Sequence, residues 1–220
     1  MGRQQPAPMP WISSLRTAST VFVLLAALGG PIRSASAATP PASELAAPSP
    51  AADSAIAALR RLEAAVRTCG ASVSAEARAG AEVVVGANAK RVDEAALRNT
   101  LPIAGRLALE FSTTPQSLAD ERSRLGSSWS EIVIAHTLAA NLTLQVSPAL
   151  IVGLHQGGVG WGLIAAGFGL DLSDVVNAVR IECRVATGLL RPDGRVVQIR
   201  GDDSHPSVHD DTISAALGAS

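Results

Sequence analysis

An Ile-Ala pair followed three residues later by a large apolar residue recurs three times in the middle of the chain. The copies are Ile103-Ala104-Gly105-Arg106-Leu107, Ile134-Ala135-His136-Thr137-Leu138 and Ile164-Ala165-Ala166-Gly167-Phe168. They begin 31 and 30 residues apart. A period of this length is typical of a repeated helix pair, in which each unit buries its apolar face against its neighbours. The predicted fold class is therefore all-α, a small multi-helix domain of tandem helix-turn-helix-like units.

Each copy is followed by residues that typically begin a helix. These residues are Thr114-Pro115, Ser147-Pro148 and Ser173-Asp174. A hydroxyl at the N-cap accepts a hydrogen bond from an otherwise unpaired backbone N–H, and proline is tolerated in the first turn, where no N–H is needed. We therefore expect each repeat to lie in one helix and each hydroxyl to open the next.

The amino-terminal segment has the composition of a secretion signal. Arg3 and Arg16 precede the apolar run Val21–Leu28, and Ala35-Ser36-Ala37 supplies small residues for cleavage. The run is shorter than the roughly 20 apolar residues that span a bilayer. The sequence therefore predicts a signal peptide over residues 1–37 and a periplasmic or secreted protein, with an uncleaved anchor as the alternative.

The rest of the chain divides by composition. Residues 38–54 are rich in Pro, Ala and Ser, which predicts a disordered leader. Residues 55–191 form the predicted helical domain, a usual size for one domain. Residues 192–220 are predicted to be a flexible tail, ordered at most at its start. No second apolar run is long enough to span a membrane, so we expect no stable membrane insertion after signal cleavage.

The charge balance bears on the class of partner. All nineteen acidic residues but only fifteen of the eighteen basic ones follow Ala37, so the processed chain has a net charge of −4. Proteins that neutralise phosphates usually present a basic surface. The sequence therefore argues against nucleic acid as a partner and favours an unknown protein or envelope component.

The two cysteines lie on apolar stripes of two predicted helices. Cys69 continues the stripe that contains Leu62 and Val66, and Cys183 continues the one that contains Val176 and Val179. An oxidising compartment favours a disulfide between them, which would join the first helix to the last. The alternative is a pair of buried free thiols, and the sequence leaves both open.

The segment from Ile164 to Val176 resembles the helix-turn-helix unit of bacterial regulators. Ala165, Gly169 and Val175 occupy the positions where that family has a small residue, a turn glycine and a buried apolar residue. The resemblance implies the packing of two helices about a tight turn. The second helix begins with Asp171 and Asp174, which would repel phosphate, so we expect the geometry without binding of nucleic acid, and a helix-turn-helix nucleic-acid binder is the alternative.

A longer stretch, from about Leu101 to Leu190, resembles a set of uncharacterised exported bacterial proteins. The shared motifs are Trp129-Ser-Glu-Ile-Val-Ile-Ala-His-Thr-Leu-Ala139 and, with the pattern GxGWGxIA, Gly158-Val-Gly-Trp-Gly-Leu-Ile-Ala165. This chain has Leu163 where an acidic residue is common in that set. The resemblance implies an exported helical protein and brings no known activity.

Four residues in or just before these motifs are candidates for an interaction surface, namely Trp129, His136, His155 and Trp161. Exposed tryptophans would support a non-enzymatic interaction module, and buried ones would belong to the core. An enzyme is the alternative, with a metal or His-centred site formed by His136, His155 and Glu131. The Gly-rich link before Trp161 lacks the preceding strand and the lysine of a nucleotide loop. The sequence therefore predicts no catalytic residue, no metal and no cofactor.

Overall fold

The computed structural model describes residues 50–143, 145–209 and 213–214, with side chains from Ile56 onward. The chain divides into two units, Met1–Ala46 and Ala47–Ser220, and every described helix belongs to the second. The eight described helices are α1 (Pro50–Gly70), α2 (Ala75–Ala96), α3 (Leu101–Glu110), α4 (Pro115–Leu125), α5 (Trp129–Ala139), α6 (Pro148–Gln156), α7 (Trp161–Gly167) and α8 (Leu172–Thr187). The described chain contains no strand, so the predicted all-α class is confirmed.

The first helix begins earlier than the predicted domain. Residues 50–54, the last part of the predicted disordered leader, form the first turn and a half of α1. Proline is compatible with this position because its missing N–H has no partner in the first turn. Helix α1 therefore begins within the segment predicted as a leader, while the signal peptide and residues 38–49 lie outside the described residues.

The three repeats lie in α3, α5 and α7, and each is followed by a second helix, which gives the pairs α3–α4, α5–α6 and α7–α8. The repeated isoleucines Ile103, Ile134 and Ile164 are all buried. Thr114 and Ser147 cap α4 and α6 as predicted, each accepting a hydrogen bond from a backbone N–H three residues on. The third pair differs, because its second helix begins at Leu172 with Asp171 rather than Ser173 as the cap.

Helix α2 packs against α5, α7 and α8, and α1 packs mainly against α7 and α6. Glycine allows α7 to approach both long helices closely. A Cβ atom on Gly162 would lie 2.4 Å from the carbonyl oxygen of Arg78 in α2, and one on Gly167 would lie 2.6 Å from that of Val66 in α1. Any larger residue at these two positions would therefore push the helices apart.

No helix within the described residues is long and apolar enough to cross a membrane.

Residues 192–209, which we call the strap, run back across the helices without forming one. The strap makes one isolated antiparallel bridge, between Gly201 and Leu170. Ile199 and Val208 are buried in the same core as the helices, and so is Ile213 beyond the strap. The expected tail is thus irregular in conformation, but its packing against the domain continues further along the chain than the sequence indicated.

Candidate functional site

Both candidate tryptophans are buried. Trp129 and Trp161 are the first residues of α5 and α7, and each is only 4% exposed. The guanidinium of Arg122 lies 5.4 Å from the ring centroid of Trp129 and covers it further. The exposed surface that a tryptophan-based interaction requires is therefore not found, because both indoles fill the space where a new helix starts beside its predecessor.

His155 acts as a packing residue beside one of these tryptophans. Its ring is stacked on Trp161 with the centroids 3.9 Å apart. Its Nδ1 lies 3.1 Å from the carbonyl oxygen of Val159. The imidazole thus closes the glycine-rich link between α6 and α7, which fits the expectation of a tight connection rather than a nucleotide loop.

His136 pairs with a residue that the sequence did not indicate. Its Nε2 lies 2.8 Å from Oε2 of Glu121 in α4, and its ring is stacked on Phe111. The predicted partner, Glu131, instead accepts a hydrogen bond from the backbone N–H of Ser128 and completes a capping box at the start of α5. His136 therefore joins two helices and does not pair with Glu131.

The residues proposed for an enzymatic centre do not converge. His136, His155 and Glu131 each bind separate partners in different parts of the fold. Among the described residues, no group of three or more His, Cys, Asp or Glu side chains could hold a metal ion. The alternative built on these three residues therefore has no support in the geometry.

Cys69 and Cys183 are free thiols, so the disulfide alternative is not realised in this structure. Their helices pack mainly on different neighbours. Helix α1, which carries Cys69, packs on α6 and α7, whereas α8, which carries Cys183, packs on α2, α3 and α5. Cys183 is buried, and burial raises the pKa of its thiol to about 12. A neutral, buried thiol is a poor nucleophile, which leaves Cys183 as a packing residue.

The α7–α8 pair has the geometry expected of a helix-turn-helix. Ala165 and Val175 are buried, and Gly169 has a φ of +72° at the turn. The strap covers this turn, because the carbonyl oxygen of Gly169 accepts a hydrogen bond from the N–H of Asp202. Arg200 of the strap forms a 2.6 Å salt bridge with Asp174, whose pKa it lowers. The strap thus covers the turn and pairs with Asp174, whereas Ser173, Asn177 and Arg180 of the same face stay exposed.

Two buried carboxyl groups bind the backbone of the strap. Oε2 of Glu110 in α3 accepts a hydrogen bond from the N–H of Asp193, and Oε1 of Glu182 in α8 accepts one from the N–H of Val197. The distance from nitrogen to oxygen is 3.0 Å in both bonds. Both side chains are buried. Burial raises the pKa of Glu110 and raises that of Glu182 to about 7, and the mutual repulsion of the two carboxylates contributes to the second shift. Oε2 of Glu182 has no hydrogen-bond partner.

An open cavity of about 280 Å³ lies between α2 and α8. We call it the arginine cavity. It is lined by Asn88, Arg91, Glu94, Ala95 and Arg98 from α2 and the turn after it, by Cys183, Arg184 and Thr187 from α8, and by Leu189. Within the part of the chain that the structure describes, none of the three arginines forms a salt bridge. Three basic groups and one acidic group thus surround a single opening.

Exposed leucines adjoin this cavity. Leu189 lines it and is 69% exposed, while Leu97, directly before Arg98, is 88% exposed. Leu101 follows at the start of α3 and is 79% exposed.

The arginine cavity was not predicted from the sequence. The arginines near the end of α2, Arg91 in the helix and Arg98 in the turn after it, could have indicated one side of the cavity, but nothing local indicates that α8 completes it.

Comparison with protein-family profiles, with curated protein sequences and with solved structures finds no match to this chain. The resemblances to exported bacterial proteins and to helix-turn-helix regulators remain predictions from the sequence.

Proposed function

We propose that this protein is an exported, non-enzymatic interaction module that binds a protein segment in the arginine cavity. The segment carries a carboxylate beside apolar side chains. The carboxylate pairs with the arginines, and the apolar side chains pack on the neighbouring leucines.

The observation that carries this proposal is the set of three guanidinium groups around one opening. Arg91, Arg98 and Arg184 line the cavity without a described salt-bridge partner. Guanidinium groups form paired hydrogen bonds with carboxylates, and such charge-assisted bonds are stronger than neutral ones. A carboxylate entering the cavity would accept hydrogen bonds from guanidinium donors that have no partner among the described residues.

The leucines favour a protein segment over a free anion. Leu189 lines the cavity and is mostly exposed, and Leu97 and Leu101, also mostly exposed, are within three residues of Arg98 in the chain. Exposed apolar groups clustered on a soluble domain typically mark an interaction surface. The net negative charge of the chain beyond Ala37 disfavours extended polyanions such as nucleic acid or an anionic bilayer, whereas a single carboxylate meets the local positive charge.

Selection of peptides tests the proposal. Random peptides displayed on phage are selected on the wild-type protein, and the enriched peptides are measured against an Arg91→Ala/Arg98→Ala/Arg184→Ala variant by fluorescence anisotropy. We expect enriched peptides to combine Asp, Glu or a free carboxyl end with Leu-like residues, and their affinity to fall by about 100-fold in the variant, as the loss of two charge-assisted bonds implies.

The matched control removes the same number of charges elsewhere. Arg60, Arg61 and Arg124 are exposed and lie outside the cavity, so their triple alanine variant should bind as the wild type does. Equal loss in both variants, or enriched peptides without an acidic group, would refute the proposed site. Binding of anionic vesicles in the absence of peptide binding would refute the proposed partner class.

Export is tested separately. Mass spectrometry of protein recovered from a secreting bacterial host should find an amino terminus at Ala38 in the periplasmic or extracellular fraction. An intact Met1 in the cytosol would contradict export and leave the cavity proposal unaffected.

A further inference from the structure

The side of α2 that points away from the core has no partner among the described residues. The helix buries Ala81, Val85, Asn88 and Val92 on one side. The opposite side, which we call the outer face of α2, consists of Glu76, Ala79, Gly80, Val83, Gly86, Ala87 and Lys90, all of them exposed. At about 100° per residue these seven positions fall within an arc of about 120°, so they form one continuous surface.

The glycines of this face have no role within the domain. A Cβ atom on Gly80 or Gly86 would meet nothing within 4 Å. Glycine in an exposed helix interior is less favourable than alanine, so these two residues weaken α2 without an internal packing gain. Between them Val83 is 71% exposed. Small residues on both sides of an exposed apolar one allow the backbone of another helix to approach closely.

The order of residues on the outer face is two-fold symmetric about Val83. Counting outward in both directions pairs Gly80 with Gly86, Ala79 with Ala87, and Glu76 with Lys90. An antiparallel copy of the same helix, centred on Val83, would place small residues opposite small residues. It would also place Glu76 opposite Lys90 of the partner subunit at one end, and Lys90 opposite Glu76 of the partner subunit at the other. Such an isologous contact is the commonest arrangement in homodimers.

We propose that the outer face of α2 is a homodimer interface in which two copies of the helix pack antiparallel about Val83. The charge complementarity identifies a second copy as the occupant. Glu76 lies at one end of the face and Lys90 at the other, so an antiparallel copy brings opposite charges together at both ends. Lys90 also forms a long, exposed salt bridge with Glu94, with Nζ 3.9 Å from Oε1, and an exposed pair of this kind contributes little to stability and can be exchanged for the contact. None of these seven residues lines the arginine cavity, but Glu94, one turn beyond Lys90 on the same side of α2, does, so the cavity adjoins one end of the contact.

The size of the contact sets the expected strength. A single helix pair is smaller than the roughly 800 Å² per partner of a standard stable interface, so the dimer should form with a dissociation constant in the micromolar range. Sedimentation velocity on the protein as recovered from its expressing cells, from micromolar to millimolar concentration, should show a reversible monomer–dimer equilibrium.

Charge reversal provides the sharpest test. Glu76→Lys places lysine opposite lysine and Lys90→Glu places glutamate opposite glutamate, so each should weaken the dimer by about tenfold or more. The double variant restores opposite charges at both ends and should recover most of the wild-type affinity. Val83→Glu brings two carboxylates together at the symmetry axis and should abolish dimerisation, whereas Leu109→Glu, at an exposed leucine on α3, should not affect it.

The glycines give an independent readout that misfolding cannot mimic. Gly80→Ala/Gly86→Ala should raise the thermal stability of the monomer, because alanine favours the helix, while weakening the dimer by adding methyl groups at the contact. A chain that stays monomeric to millimolar concentration would overturn the proposal. A dimer that Val83→Glu leaves unchanged would overturn it as well.

Discussion

Glu182 makes the stability of the domain depend on pH in a direction opposite to that of most carboxyl groups. Its side chain is fully buried, with one oxygen bonded to the N–H of Val197 and the other unpaired. Burial raises its pKa to about 7 from a usual value of 4.5. Between these pH values the folded protein binds a proton that the unfolded chain has released. The free energy of unfolding therefore falls as pH rises through this window and is constant above it.

The magnitude follows from the size of the shift. Each pKa unit corresponds to 1.36 kcal/mol, so raising the pH from 4.5 to above 7 should cost up to about 3 kcal/mol of stability through Glu182. Glu110 acts in the same direction, since burial raises its pKa as well. For a single small domain, about 3 kcal/mol is a large part of the total stability.

Urea unfolding followed by circular dichroism at pH 5, 6, 7 and 8 measures this effect. The wild type should lose stability over the series, and Glu182→Gln, which cannot ionise but can still accept the bond from Val197, should give a flatter profile. Asp120→Asn removes one exposed carboxyl and should keep the slope of the wild type. Parallel profiles for Glu182→Gln and the wild type would show that Glu182 does not titrate in this range and would refute the reasoning.

Three further outcomes are expected. Gly167→Ala should destabilise the fold by about 1–3 kcal/mol, because the added methyl overlaps the α1 backbone, whereas Gly105→Ala, with open space around it, should be tolerated in the same thermal melts. Ellman's reagent should find both cysteines free in urea without reductant, and Cys183 should be unreactive in the native protein; a blocked pair would show that a disulfide forms. His136→Ala should cost about 1–3 kcal/mol in urea unfolding by removing the bond to Glu121 and the aromatic stacking, and an unchanged midpoint would contradict a role in joining α4 to α5.

The parts of the fold that the sequence predicts well depend on local signals. The buried isoleucines Ile103, Ile134 and Ile164 follow from helical periodicity, and the caps Thr114 and Ser147 from hydroxyl–proline pairs. These interactions involve residues within one turn of each other. Local sequence therefore located the helices of the three repeats and the starts of α4 and α6.

The parts that it missed depend on residues far apart in the chain. Glu121 is fifteen positions before His136, and Glu110 is more than eighty before Asp193, so no helical period connects either pair. The burial of the two tryptophans could not be predicted for a related reason. The first residue of a helix can face the core or the surface, depending on how the preceding helix packs. The arginine cavity likewise exists only because α8 packs beside α2.

The strap is held by a different kind of bond from the rest of the domain. The amides of Asp193, Val197 and Ile199 are bonded to side-chain oxygens of Glu110, Glu182 and Asn141 instead of to a helix or sheet backbone. These bonds can break together while every helical hydrogen bond stays intact, so the strap forms a cooperative unit of its own with its own opening free energy. Exposing the turn at Gly169 requires more than the loss of these three bonds, because Asp202 must also leave Gly169 and the buried side chains of Ile199 and Val208 must leave the core. Residues 193–197 should therefore exchange their amide hydrogens at lower cost than the residues that cover the turn.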